Sequence, residues 1–163
     1  MFAAFMVGLG LTACPLDQGE LTKQPCIYVN VAATSAEVNV QAAAAMISRF
    51  RRENGLGPVT VDSELTRVAQ AHSRTMANLN MMGHDVGTSF HERRRAIRAR
   101  VVVENIDAGY YTLAETFTRW QNSPGHRANM LDPDMTRMGI AAVRTSDPFH
   151  KVFWTLVMSS PRR

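Results

Sequence analysis

Apolar side chains recur at helical spacing in the first two-thirds of the chain and at strand spacing in three segments beyond it. From Gln41 to Asn54 the helix formers Ala42, Ala43, Ala44 and Ala45 lead into a stripe of Ala43, Met46, Ile47 and Phe50, and Gly55 supplies a stop. A second helix is predicted to start at Asp62 or Ser63 as N-cap, with Leu65, Val68, Ala69, His72, Met76 and Leu79 at the helical period. Phe90 to Ala99 predicts a third, Arg-rich helix. Thr112 to Gln121 predicts a fourth, capped by Thr112, with Leu113, Phe117 and Trp120 facing inward. Strands are predicted at Val101 to Ile106, Met138 to Thr145 and Val152 to Ser159, the last two joined by a turn around Ser146-Asp147-Pro148. These strands do not alternate with helices, so an α+β fold with an antiparallel sheet is favoured over a doubly wound parallel one.

The chain has 163 residues, 45% of them hydrophobic, which is the size and content of one domain with a substantial core. Residues 1–13 carry no charge, and Leu11-Thr12-Ala13-Cys14 reads as a lipobox. The apolar run is too short to span a bilayer, so residues 1–14 are expected to be a signal peptide whose cysteine, Cys14, becomes lipidated. Residues 15–40, with Pro15, Gly19 and Pro25, are expected to be a flexible tether, and residues 41–161 the folded domain. Acylation of Cys14 would leave Cys26 without an intramolecular partner. The other reading is a Cys14–Cys26 disulfide around a short loop.

A net charge of +4, with Arg93, Arg94, Arg95, Arg98 and Arg100 crowded together, raises nucleic acid as a partner. The run has no interleaved aromatic platform, so no nucleic-acid partner is expected and the arginines read as a solvated helix face, near lipid head groups if the domain is tethered.

The most specific string is Trp120-Gln121-Asn122-Ser123-Pro124-Gly125-His126-Arg127-Ala128-Asn129-Met130-Leu131-Asp132-Pro133. Its Pro-Gly pair predicts a turn that holds His126 at a bend. The string resembles the hallmark of the CAP superfamily (cysteine-rich secretory proteins, antigen 5 and plant pathogenesis-related proteins) in its bacterial SCP-domain branch. Arg52 to Leu65, Met82-Gly83-His84-Asp85 and Glu104-Asn105-Ile106 with Ala108-Gly109-Tyr110 are similar to further family elements, in the right order over residues 41–160.

The resemblance implies an α-β-α sandwich and a cleft lined by His84, Glu104 and His126, with Ser123 where eukaryotic members carry a second glutamate. It implies that His84 and His126 can hold a divalent cation such as Zn2+, with Glu104 either a ligand or the acceptor of a histidine N–H. With one acid absent, no base is evident for a metal-bound water. The expected function is therefore that of a secreted or membrane-tethered binding module, monomeric, whose ligand is a lipid or an extracellular or envelope protein. The alternative is a metal-dependent hydrolase of peptide or cell-wall material. Ser123 as a nucleophile lacks the strand-turn-helix setting that exposes one. Arg127 and Asn129 are expected to brace the loop by hydrogen bonds, His72 to be packed, and Trp120 and Trp154 to be core aromatics.

Overall fold

Every residue of the strand Val152–Ser159 is buried, which requires cover on both of its faces. The computed structural model describes residues 26–31, 38–146 and 152–162. Cys14, the signal segment, most of the expected tether and the turn at Asp147-Pro148 lie outside them. Five α-helices are described, after a short 3-10 turn at Cys26–Tyr28: α1 (Val40–Glu53), α2 (Ser63–Leu79), α3 (Phe90–Ala96), α4 (Leu113–Asn122) and α5 (Pro124–Met130). The strands are β1 (Thr60–Val61), β2 (Val102–Ala108), β3 (Arg137–Arg144) and β4 (Val152–Ser159), in the sheet order β1-β3-β4-β2. β2, β3 and β4 pair antiparallel, as expected, while β1 adds two residues parallel to β3 and makes the sheet mixed.

Strand alternation divides the core. Val152, Trp154, Leu156 and Met158 join Met138 and Ile140 of β3 against α1, α4 and α5, where Ile47, Phe50, Phe117, Trp120 and Met130 are buried. On the opposite face α2 covers the sheet, packing Leu65 and Ala69 on Ala141 and Val157, and Met76 on Phe153. The result is the expected α-β-α sandwich. Gly139 lets α2 lie directly on β3: a Cβ there would stand 2.1 Å from the Thr66 backbone nitrogen.

Local signals place the helix ends. The Asn39 and Asp62 side chains cap α1 and α2, while Ser89 and Thr112 form capping boxes with Glu92 and Glu115. Asp62 is also paired with Arg137 at 2.7 Å and Arg162 at 3.2 Å. Burial alone would raise its pKa, but these cations and the capped N–H groups hold it down at about 2.

Several expectations are corrected. The Pro-Gly pair does not make a bend: Pro124 opens α5, where its fixed φ suits the first helical turn and its missing N–H costs nothing, and Gly125 has no positive φ. His126 thus sits on a helix. Leu79, expected on the buried stripe, is exposed at the end of α2. The Arg-rich helix stops at Ala96, and β2 runs on to Ala108, two residues past its expected end. The arginines are not all a solvated face, because the Arg93 side chain is only 8% exposed.

Candidate functional site

β2 is an edge strand, and its alternating side chains serve opposite layers. Glu104 faces α2 and α3. Its side chain is 1% exposed, and its carboxylate accepts two bonds from Arg93 Nη2, at 2.7 Å to Oε1 and 2.9 Å to Oε2. His84 Nδ1 donates to Oε1 at 2.9 Å, and His72 Nε2 lies 3.8 Å from the same oxygen. The His72 ring nitrogen bonds the Gly83 carbonyl at 3.1 Å, so Nε2 carries the proton. Burial pushes the His72 pKa down, with Glu104 opposing and Arg93 adding to the depression. Arg93 also donates to the carbonyls of His84 and Thr88, which ties the loop before α3 to the same acid.

Asn105 and Asp107 face the other way, toward α4 and α5. Asn105 Nδ2 donates to the His126 carbonyl at 3.0 Å, and Asn129 Nδ2 donates to Asn105 Oδ1 at 2.9 Å and to the Glu104 carbonyl at 3.2 Å. Trp120 Nε1 donates to the Ile106 carbonyl at 3.3 Å. Side chains of α4 and α5 thereby occupy carbonyls along the outer edge of β2, which orients α5 and fixes His126.

Asp107 is 5% exposed. Its Oδ1 accepts the Ala108 N–H at 2.9 Å, whereas its buried Oδ2 has no hydrogen-bond partner among the protein groups and lies 3.5 Å from Arg119 Nε, within ion-pair range only. The buried His126 Nδ1 likewise has no protein partner. Both residues line a cavity of about 790 Å³ between α4, α5 and β2, with Tyr28, Met82 and Tyr110 among its apolar walls and Ser123 also lining it. His84 and Glu104 lie outside that lining. Burial raises the Asp107 pKa against the Ala108 N–H, Arg119 and His126. Burial lowers the His126 pKa, Asp107 opposing while His84 and Arg119 add to the depression.

The donor set does not suit a tightly held zinc-like ion. Among the described residues no three His, Cys, Asp or Glu side chains gather closely enough to hold one, and Glu104, the acid expected beside His84 and His126, is engaged by Arg93. The two imidazoles are near enough that His84 affects the His126 pKa, but they lack a third strong donor.

The sequence model of the Cysteine-rich secretory protein family, CAP, matches residues 44–158. The chain belongs to this family. YkwD of Bacillus subtilis (strain 168) is 30% identical to this CAP protein over 146 residues, covering 84% of the chain, which spans 57% of the length of that relative. An extracellular protein containing an SCP domain from Bacillus anthracis str. Ames is 25% identical with a TM-score of 0.66, over 88% of this chain and 45% of that one. An outer surface protein from Borrelia burgdorferi shares the fold at 19% identity and a TM-score of 0.66, over 76% of this chain and 92% of that one. Among the described residues of this CAP domain, no helix is long and apolar enough to cross a membrane.

Of the four residues expected in one cleft, His126 and Ser123 line the cavity, while buried Glu104 and the half-exposed His84 form a cluster with Arg93 outside its lining. Arg127, which bonds Asn54 and covers the Phe50 ring, and Asn129 brace the segment as expected. Asp107, Arg93 and Arg119 are not among the site residues that the sequence points to. The available signal for Asp107 is strand alternation, which puts it on the Asn105 face once β2 extends past Ile106.

Proposed function

We propose that this CAP domain is a monomeric, non-enzymatic binding module of the cell exterior, tethered through Cys14, which holds a small amphipathic molecule in the cavity between α4, α5 and β2. The observation that carries the reading is the cavity itself: about 790 Å³ with apolar walls and two buried polar atoms, Asp107 Oδ2 and His126 Nδ1, that no protein group satisfies. Exterior location is supported by relatives described as extracellular and outer-surface proteins. A binding role is supported by Glu104, whose oxygens are taken by Arg93 and His84, so that it is no free base beside an imidazole. A divalent cation would meet two imidazoles and bind weakly.

The test is Nile red fluorescence, since a neutral apolar dye brightens when it enters such a cavity. Ala114→Trp fills the α4 wall and is expected to abolish the signal while thermal unfolding stays cooperative. Undiminished dye binding by that variant would overturn the reading. Fatty-acid labelling that Cys14→Ser abolishes is the expected result for the tether; an unlabelled native protein would remove it.

One observation favours the hydrolytic alternative. A buried acid with a raised pKa near a neutral imidazole is the disposition of a general acid–base pair, and Asp107 and His126 provide one. That reading requires turnover of peptide or cell-wall material that His126→Ala abolishes.

A further inference from the structure

We propose that the Asp107–Arg119–His126 corner of the cavity is a subsite for a neutral polyhydroxylated group, a sugar or polyol; this rests on the cavity being a binding site. Asp107 Oδ2 is an acceptor buried without a protein hydrogen bond, and Arg119 Nε, a donor, lies 3.5 Å from it. A hydroxyl between them donates to the carboxyl oxygen and accepts from the guanidinium, which no simple anion or cation does. His126 Nδ1 accepts or donates according to tautomer and serves a neighbouring hydroxyl. Tyr110 lines the same cavity, and the Arg119 guanidinium lies over its ring, 5.5 Å from the centroid, which holds the donor at this corner.

Charge excludes the obvious competitors. An ammonium head would approach Asp107 beside Arg119, and a phosphate or carboxylate would meet the buried acid of Asp107. The direction of the two titrations agrees, because burial favours the neutral forms of both Asp107 and His126.

The experiment is calorimetric titration of the full chain with dodecyl maltoside and dodecylphosphocholine, each below its micelle threshold, so that one alkyl chain carries a hydroxylated or a zwitterionic head. The maltoside is expected to bind about tenfold tighter, because buried polar groups reject a head that leaves them unpaired. Asp107→Asn is expected to erase that preference: the Ala108 N–H fixes Oδ1, so the new amide nitrogen replaces the Oδ2 acceptor. Arg119→Gln, at a side chain that is 59% exposed, is expected to do the same while unfolding stays cooperative. Equal binding of the two detergents would overturn the subsite while leaving the cavity reading intact. Binding of neither would overturn both. A preference that persists in both variants would place sugar recognition elsewhere and overturn the subsite. Free maltose separates the sources: competition assigns a soluble glycan, its absence a glycolipid head, and either supports the subsite.

Discussion

Glu104 and Asp107 are buried carboxylates three residues apart on one strand, and the molecule treats them in opposite ways. Glu104 is surrounded: Arg93 grips both oxygens, His84 donates to one, and His72 closes the side toward α2. Asp107, on the other face of β2, keeps one oxygen bonded to its neighbouring backbone and leaves the second without a hydrogen bond against the cavity. A buried carboxylate with hydrogen bonds to both oxygens holds a fold together, even though Arg93 Nε beside it is left without a partner, whereas an acid oxygen left open beside a cavity is costly and is available to whatever enters. The difference moves the expected ligand contacts from the His84–Glu104 side to the Asp107–His126 side.

The largest effect is expected from breaking the closed side. Arg93→Ala strands the Glu104 carboxylate in the interior and should cost about 3–5 kcal/mol in denaturant unfolding. A loss near zero would mean that the Glu104 cluster is wetter and looser than described.

Acid should separate the two sides by a smaller amount. His72 and His126 both have pKa values pushed below the ordinary ~6.5. Their contribution to stability is present above that value, where both folded and unfolded states hold them neutral, and is lost as the pH falls below it, because the unfolded chain takes up protons first. Unfolding midpoints at neutral pH and at pH about 5 should therefore fall with acid, and His126→Asn should shrink that fall. An unchanged pH dependence in the variant would show that His126 is freely solvated. Asp107 has the opposite sign: its raised pKa favours folding while it is protonated, and that advantage disappears as the pH rises from ~3.8 through its folded value.

Asp107→Asn should give the smallest change in stability, none or a modest gain at neutral pH, because it removes a buried acid that titrates unfavourably there. Set beside the Arg93→Ala loss, this is the sharpest stability contrast between the two faces; a collapse of the Asn variant would make Asp107 structural too. Metal content tests the remaining expectation. Protein purified without added metal and dialysed should retain no stoichiometric zinc, since His84 and His126 lack a third strong donor.

The helices are legible in the sequence because their caps and stripes are local. Asp62, Ser89 and Thr112 each cap the following helix with their own side chains. β4 is legible as a short β-rich segment, and its burial on both faces explains why it carries so little polarity. α5 is not, because a Pro-Gly pair suits both a turn and a helix start, and what decides is tertiary: Arg51 donates to the carbonyls of Met130, Asp132 and Met135, pinning the far end of α5 to α1. The family string points to His84, Glu104 and His126 individually, but not to the strand that separates Glu104 from His126. Arg93 is hidden in a run of arginines that look alike in sequence, since only its position at the fourth residue of α3 aims it at Glu104. Asp107 falls one residue beyond the predicted end of its strand, where alternation no longer assigns it a face.

The most direct test of the division across β2 is amide chemical-shift mapping of the isotope-labelled protein titrated with dodecyl maltoside below its micelle threshold. The largest shifts are expected at Asp107, Tyr110, Arg119 and His126, with His72, Arg93 and Glu104 scarcely moved. Shifts centred on His72, Arg93 and Glu104 instead would contradict the account.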